Sequence, residues 1–332
     1  MPTGPACSCG SAVPIPTACG ASSPAPGGTG RSRRSARRSA IAPDRFRHFV
    51  AIDWSGAVGP RQRGIAVAIC ARGAAAPTLV RPGHVWSRQE VADWLLSELP
   101  ADTLVGLDLG PSLPFADCGA FFPGWAESPG DARGLWRLVE ALCTADPHLA
   151  ATSFVDDAEA ARHYRRHGGR KGEHFSGRGR LRVTEQAQRD ALGLNPYSNL
   201  NLVGAAQVGK SSLTGMRVLH RLDGRVPVWP FDPLPATGSV IVEIYTTIAA
   251  IAAGRSKSRS KMRTWADLDA ALIHPTIASA PTGRAGTVDD HSSDAILSAA
   301  WLRRVAADPA LWTPAALTPA LARTEGWTFG VP

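Results

Sequence analysis

This sequence predicts an α/β domain built on a mixed β-sheet flanked by helices, and three observations point there. Apolar stretches at 48–54, 63–70 and 78–86 succeed one another through short connections, as the strands of a meander do. A helix start then stands at Ser87-Arg-Gln-Glu90, a capping box, with Val91, Trp94, Leu95 and Leu99 behind it at helical spacing. A fourth apolar run, 103–109, returns after that helix and stops at Gly110-Pro-Ser-Leu-Pro114. Neighbouring elements pack together and crossovers are right-handed, so the returning strand is expected parallel to the first. Asp53 and Asp108, which end those two strands, then become neighbours.

The rest of the chain reads in order. Helices are expected at about 131–144 and 156–166, followed by a basic, Gly-rich stretch. From Arg165 to Arg182 seven Lys or Arg residues meet one acid, Glu173. A helix near 184–192, the apolar run Leu200-Asn-Leu-Val203 and a helix near 211–221 come next. Strands at 226–231 and 239–245 precede a second basic run, Arg255 to Arg263, and helices near 264–272, 290–307 and 316–323 follow. The order β-β-β-α-β is how the ribonuclease-H-like fold begins. The expected organisation is one such domain over 48–332, with a large helical and basic insertion at about 110–238.

Residues 1–47 stand apart. They are rich in Gly, Pro, Ser, Ala and Arg, carry no acid before Asp44, and show no apolar periodicity. Such a segment cannot bury enough surface to offset its ordering entropy and reads as a disordered tail, with the composition of a transit peptide as the alternative. It holds seven arginines against Asp44, which is six of the eight formal positive charges. The remainder is nearly neutral, so overall basicity says little about the folded surface. The six cysteines include no C-x-x-C pair, which excludes a zinc ribbon or a redox motif. No apolar run approaches the roughly 18 residues of a membrane span. A cytoplasmic protein with no membrane partner is expected.

Four stretches carry the chemistry: Phe49-Val-Ala-Ile-Asp53, Leu104-Val-Gly-Leu-Asp108, Val240-Ile-Val-Glu243 and Asp289-Asp-His-Ser-Ser-Asp294. A carboxylate at the end of a buried strand loses hydration and needs a partner. Divalent cations are strong ones, and magnesium and manganese prefer oxygen ligands. Asp290 and Asp294, four apart on a helix, share a face. The alternative is that these acids only begin turns or cap a helix.

These stretches resemble the family of domain of unknown function number 429, predicted ribonuclease-H-like nucleases. The resemblance rests on Ile52-Asp53, Leu107-Asp108-Leu-Gly-Pro-Ser112, Val242-Glu243-Ile-Tyr245 and Ser293-Asp294-Ala295. Arg182-Val-Thr-Glu185 and Glu325-Gly-Trp-Thr-Phe-Gly330 add to it, and it covers about 48–332. His291-Ser-Ser-Asp294-Ala is also similar to the last active-site helix of Holliday-junction resolvases. Thr246-Thr247 depart from the pattern, where Pro is expected after the Tyr. The resemblance implies a nuclease-like site.

The expected function is therefore phosphodiester hydrolysis on a nucleic acid by a two-metal mechanism with magnesium or manganese. Asp53 would bridge both ions, with Asp108 and Glu243 holding one each. Asp294, with Asp290, would complete the site, and His291 would position the attacking water. Arg182, Lys210 and Ser211 are expected at substrate phosphate.

Rival readings exist. Gly204-Ala-Ala-Gln-Val-Gly209-Lys210-Ser211 matches the P-loop pattern and follows the apolar run 200–203. A nucleotide-binding P-loop, however, needs alternating βα units around it, and the preceding 150 residues read otherwise. Asp-Leu-Gly turns also occur in actin-like ATPases, which usually duplicate the core. A module that binds nucleic acid without catalysis would keep the basic runs and need no converging acids. His163, His167 and His174 with Glu173 suggest zinc, but lack His-Glu-x-x-His spacing and have arginines between them.

Overall fold

A computed structural model describes residues 44–203, 208–256 and 260–332. Six strands form one mixed sheet: β1 (His48–Asp53), β2 (Ala66–Ala71), β3 (Thr78–Leu79), β4 (Thr103–Asp108), β5 (Val228–Trp229) and β6 (Val240–Glu243). Their order across the sheet is β3-β2-β1-β4-β6-β5. The meander β1-β2-β3 is antiparallel, whereas β4, β6 and β5 run parallel to β1. The third strand is shorter than expected because Arg81-Pro82-Gly83 turns the chain, closed by His84 N–H on the Arg81 carbonyl.

Central strands of such a sheet are covered on both faces and so are continuously apolar. In β1, Phe49 and Ala51 join one core cluster, and Val50 and Ile52 the other. Helices α1 (Arg88–Ser97), α2 (Ala132–Leu142) and α5 (Val208–Leu222) cover the Val50 face. The Ala51 face takes α6 (Thr246–Ala252), α7 (Trp265–Leu272) and α8 (Asp290–Val305). The expected capping box opens α1: Ser87 Oγ accepts the Glu90 N–H at 3.1 Å, and Glu90 returns a carboxylate to the Ser87 N–H at 2.7 Å.

Helix α8 is buried continuously from Ser293 to Leu302. Ala295, Ser298, Ala299 and Ala300 are small enough to lay its backbone close to the sheet, and an all-round buried surface is what an interior helix needs. Asp289, not Asp290, caps it, accepting the Ser292 N–H at 2.8 Å.

Three expectations change. The helix foreseen at 156–166 is a short α3 (Thr152–Asp156) and a 3₁₀ turn at Ala160–His163. Asp157 separates them by accepting the N–H groups of Glu159 and Ala160, a side-chain turn that competes with helix. The Thr246-Thr247 departure begins α6, an element not foreseen. The domain also begins before residue 48. Phe46 is 2% exposed and stacks on Trp312, and Arg45 donates to the carbonyls of Pro235 and Gly238. Three further helices, α4 (Val183–Leu192), α9 (Pro309–Trp312) and α10 (Pro319–Thr324), complete the domain. Among the described residues no helix is long and apolar enough to cross a membrane.

Candidate active site

Parallel pairing of β1 with β4 sets Asp53 directly beside Asp108. Side chains in register share a face, and alternation from Ala51 puts both carboxylates on the face covered by α8. That helix brings Asp294 in its second turn. Asp53 and Asp294 each push the Asp108 pKa upward, after burial, which is the largest cause. Thr246 Oγ donates to Asp108 at 3.1 Å and opposes that shift. Burial likewise raises Asp294 to about 6 against the pull of Lys261, with Asp53 and Asp290 adding to the rise.

Two basic side chains partly answer this negative charge. Lys261 Nζ donates to Asp294 at 2.5 Å, and His291 Nδ1 lies 2.5 Å from Asp53 Oδ2. The hydrogen bond to Asp53 raises the His291 pKa. Asp290 stands at the rim, 3.7 Å from Arg263 Nε. Lys261 was hidden in the sequence as one member of a basic run, and only the fold brings it to the acids.

Glu243 does not join this cluster. β6 pairs with β4 so that Glu243 lies opposite Leu107, one residue out of step with Asp108. Its side chain therefore leaves the other face of the sheet. There Arg182 grips it with two N–H···O bonds of 2.8 and 2.6 Å, and the Thr328 hydroxyl adds a third at 2.8 Å.

Arg182 is 1% exposed and is not available to substrate phosphate. Its remaining donors go to Glu185 and to the Glu325 carbonyl. Burial works against its charge, but Glu185 and Glu243 outweigh that and hold its pKa above the ordinary value. Glu325, fully buried, accepts the N–H groups of Phe115, Ala116 and Val183. The sequence segments around Arg182 and Glu325 thus meet at one structural knot around Glu243.

A cavity of about 510 Å³ opens at this end of the sheet. Asp108 and His291 line one side, Glu243 and Arg182 another, and Tyr197, Asn199, Ser211 and Tyr245 complete the wall. Ser211 and Lys210 part company here. Ser211 faces this cavity, whereas Lys210 lines a second one of about 240 Å³. Gly56 divides the two. A Cβ at this position would lie 2.4 Å from the Ser211 amide nitrogen, so only glycine lets the loop after β1 lie on α5.

The P-loop look-alike lacks its setting. Asn201 meets Arg165 in an isolated bridge outside the named strands, and Gly209, Lys210 and Ser211 lie in the first turn of α5. Residues 204–207 of that motif fall outside the described residues. The histidines near 163–174 do not form a ligand set. His163 stacks on His174, and burial lowers its pKa to about 4, while Glu173 pairs with Arg162.

No family model, curated protein or solved structure matches this chain.

Among the described residues no group of three His, Cys, Asp or Glu side chains is arranged to hold a metal ion. Asp53 is engaged by His291 and Asp294 by Lys261. The chemistry of Asp53, Asp108 and Asp294 nevertheless suits one. They offer only carboxylate oxygen, the donor that magnesium and manganese prefer, and their mutual repulsion marks a place short of positive charge.

Proposed function

We propose that this chain is a metal-dependent hydrolase of phosphodiester bonds acting on nucleic acid, built on a ribonuclease-H-like sheet. An antiparallel meander followed by strands parallel to β1 supports that fold, with β5 as an added edge strand. The observation that carries the function is the in-register pair Asp53–Asp108 on the face that receives Asp294. Buried like charges are costly, and a fold that assembles three of them without a full set of counter-charges marks a site of chemistry.

Magnesium or manganese at Asp53, Asp108 and Asp294 would supply Lewis-acid polarisation of the phosphoryl group and a nucleophilic water near neutral pH. The chain's own groups do the rest. Thr246 and His291 orient Asp108 and Asp53 by hydrogen bonds. Asp53 steadies the protonated imidazole of His291, so this residue can hold a proton at the cavity wall for a departing alkoxide. Lys261, whose side chain is 53% exposed, keeps Asp294 charged and can swing away when a cation arrives. Glu243 fixes the end of β6 instead of holding an ion.

The test is cleavage of single- and double-stranded DNA and RNA in magnesium or manganese. Asp53→Asn, Asp108→Asn and Asp294→Asn should each lower the rate at least about a hundredfold while the melting curve stays cooperative. Unchanged cleavage by Asp108→Asn, or cleavage indifferent to chelator, would end this reading.

A further inference from the structure

The second cavity is built unlike the first. Its walls carry Arg88, Arg166, Arg170 and Lys210, while among the described residues Asp156 is the one acid that lines it. Asp156 is spoken for: it accepts from Arg166 Nη1 at 3.3 Å. Among the described residues no carboxylate pairs with Lys210, Arg170 or Arg88. Lys210 donates to His167 Nε2 at 2.7 Å, and Arg170 Nε donates to the His167 carbonyl at 3.0 Å. Arg88, 2% exposed, reaches only the carbonyls of Ser55, Ala57 and His148. Arg166 Nε is buried with no hydrogen-bond partner at all.

Arg88 is buried and Lys210 half-buried without a counter-ion, while Arg170 stands exposed at the mouth and Arg166, half-buried, has Asp156. Burial lowers the Lys210 pKa, and it takes Arg88 down to about 10, with Arg217 adding to that fall. An arriving dianion would give Lys210 and Arg170 the counter-charge they lack and Arg166 Nε an acceptor. Arg and Lys are the residues that hold phosphate, through forked and point-charge contacts. The floor is different again. Ala151, Val155, Leu202 and Leu213 are apolar, so a ligand seated here has a greasy part beside its charged one.

We propose that this 240 Å³ cavity binds a phosphomonoester, with Lys210, Arg166 and Arg170 on the phosphate and its apolar remainder, such as a nucleobase, on the floor. Two sources share this chemistry: a free nucleoside monophosphate, or the phosphorylated end of a strand whose body passes the Gly56 wall toward the carboxylates. The second source rests on the hydrolase reading; the first does not.

The experiment is calorimetric titration of the full chain, in chelator and low salt. The probes are a nucleoside 5′-monophosphate, the parent nucleoside, and a short oligonucleotide with or without 5′-phosphate. Binding of either phosphorylated probe, at least about tenfold tighter than its unphosphorylated counterpart, is expected. Lys210→Ala with Arg170→Ala should abolish that preference without shifting the melting temperature, whereas Asp108→Asn should keep it. Preference for the oligonucleotide assigns the strand end, and preference for the mononucleotide assigns the free ligand. Equal affinity with and without phosphate, or a preference that survives the double variant, overturns the proposal whatever the outcome for cleavage. If the double variant melts lower, Lys210→Gln alone, which keeps the length of the side chain, serves in its place.

Discussion

At one end of the sheet, two buried carboxylate groups sit on opposite faces and have been solved in opposite ways. Glu243 and Glu185 share a guanidinium whose donors are all used, and Thr328 and the Glu325 carbonyl close the shell. Asp53 and Asp294 raise the proton affinity of Asp108, Asp53 raises that of Asp294, and Lys261 and His291 only partly answer the cluster. A satisfied buried pair resists removal of either partner, while an unsatisfied cluster gains from it. What separates the two is one step of strand register, Leu107 against Glu243 in one pair and Asp53 against Asp108 in the other.

The largest break of that contrast is Arg182→Met. It strands two buried carboxylates, and a loss of about 3–5 kcal/mol is expected in urea unfolding. Adding Glu185→Gln and Glu243→Gln should recover most of it. A single variant as stable as the wild type would show that the knot is not structural.

Asp108→Asn should act in the other direction. Without metal it removes repulsion and is expected to stabilise the fold by about 1–2 kcal/mol, while cleavage falls at least about a hundredfold. Destabilisation in chelator would place Asp108 with Glu243 after all.

Asp294 separates the faces by pH. Its pKa is raised to about 6 in the fold, from an ordinary value near 4. The folded state thus holds more protons than the unfolded one between those values, and stability falls as pH rises from about 4 to about 6. Relative to Asp294→Asn, the wild type should lose up to about 3 kcal/mol across that window in chelator, and less in saturating magnesium. A flat difference would remove the electrostatic argument for the cluster.

Glu243→Gln gives the smallest and sharpest test. Of the two charge-assisted bonds from Arg182 one becomes neutral and the other is lost, since the amide NH2 cannot accept, and a cost of about 1–2 kcal/mol is expected. The metal concentration for half-maximal cleavage should not move. A large rise would return Glu243 to the ligand set.

The sequence displays strongly patterned parts of this fold. Continuous apolar runs mark β1 and β4, the acids that end them are visible, and Ser87 with Glu90 announces α1. Parity at the third acid is not visible. Val240-Ile-Val-Glu243 reads like the other two strands, and register between strands far apart in sequence is set by packing, not by either strand alone. For the same reason Arg182 and Lys210 look alike as phosphate contacts, though the fold consumes one and leaves the other with no acid. Lys261 reads as one charge in a basic run, and Thr246-Thr247 as a departure from a motif, because nothing local distinguishes them.

The buried knot around Glu243 also has an order of assembly. Thr328, which bridges Glu243 and donates to it, lies 85 positions later, and the Glu325 carbonyl lies 143 positions beyond Arg182. At about 5–20 residues per second, roughly 4–17 s of synthesis separate Glu243 from the hydroxyl that completes its shell. During that interval the end of β6 presents open backbone groups and a half-paired acid to solvent or to whatever attends the ribosome. For this chain the interval of greatest exposure to misassembly is therefore set by the translation of residues 244–328.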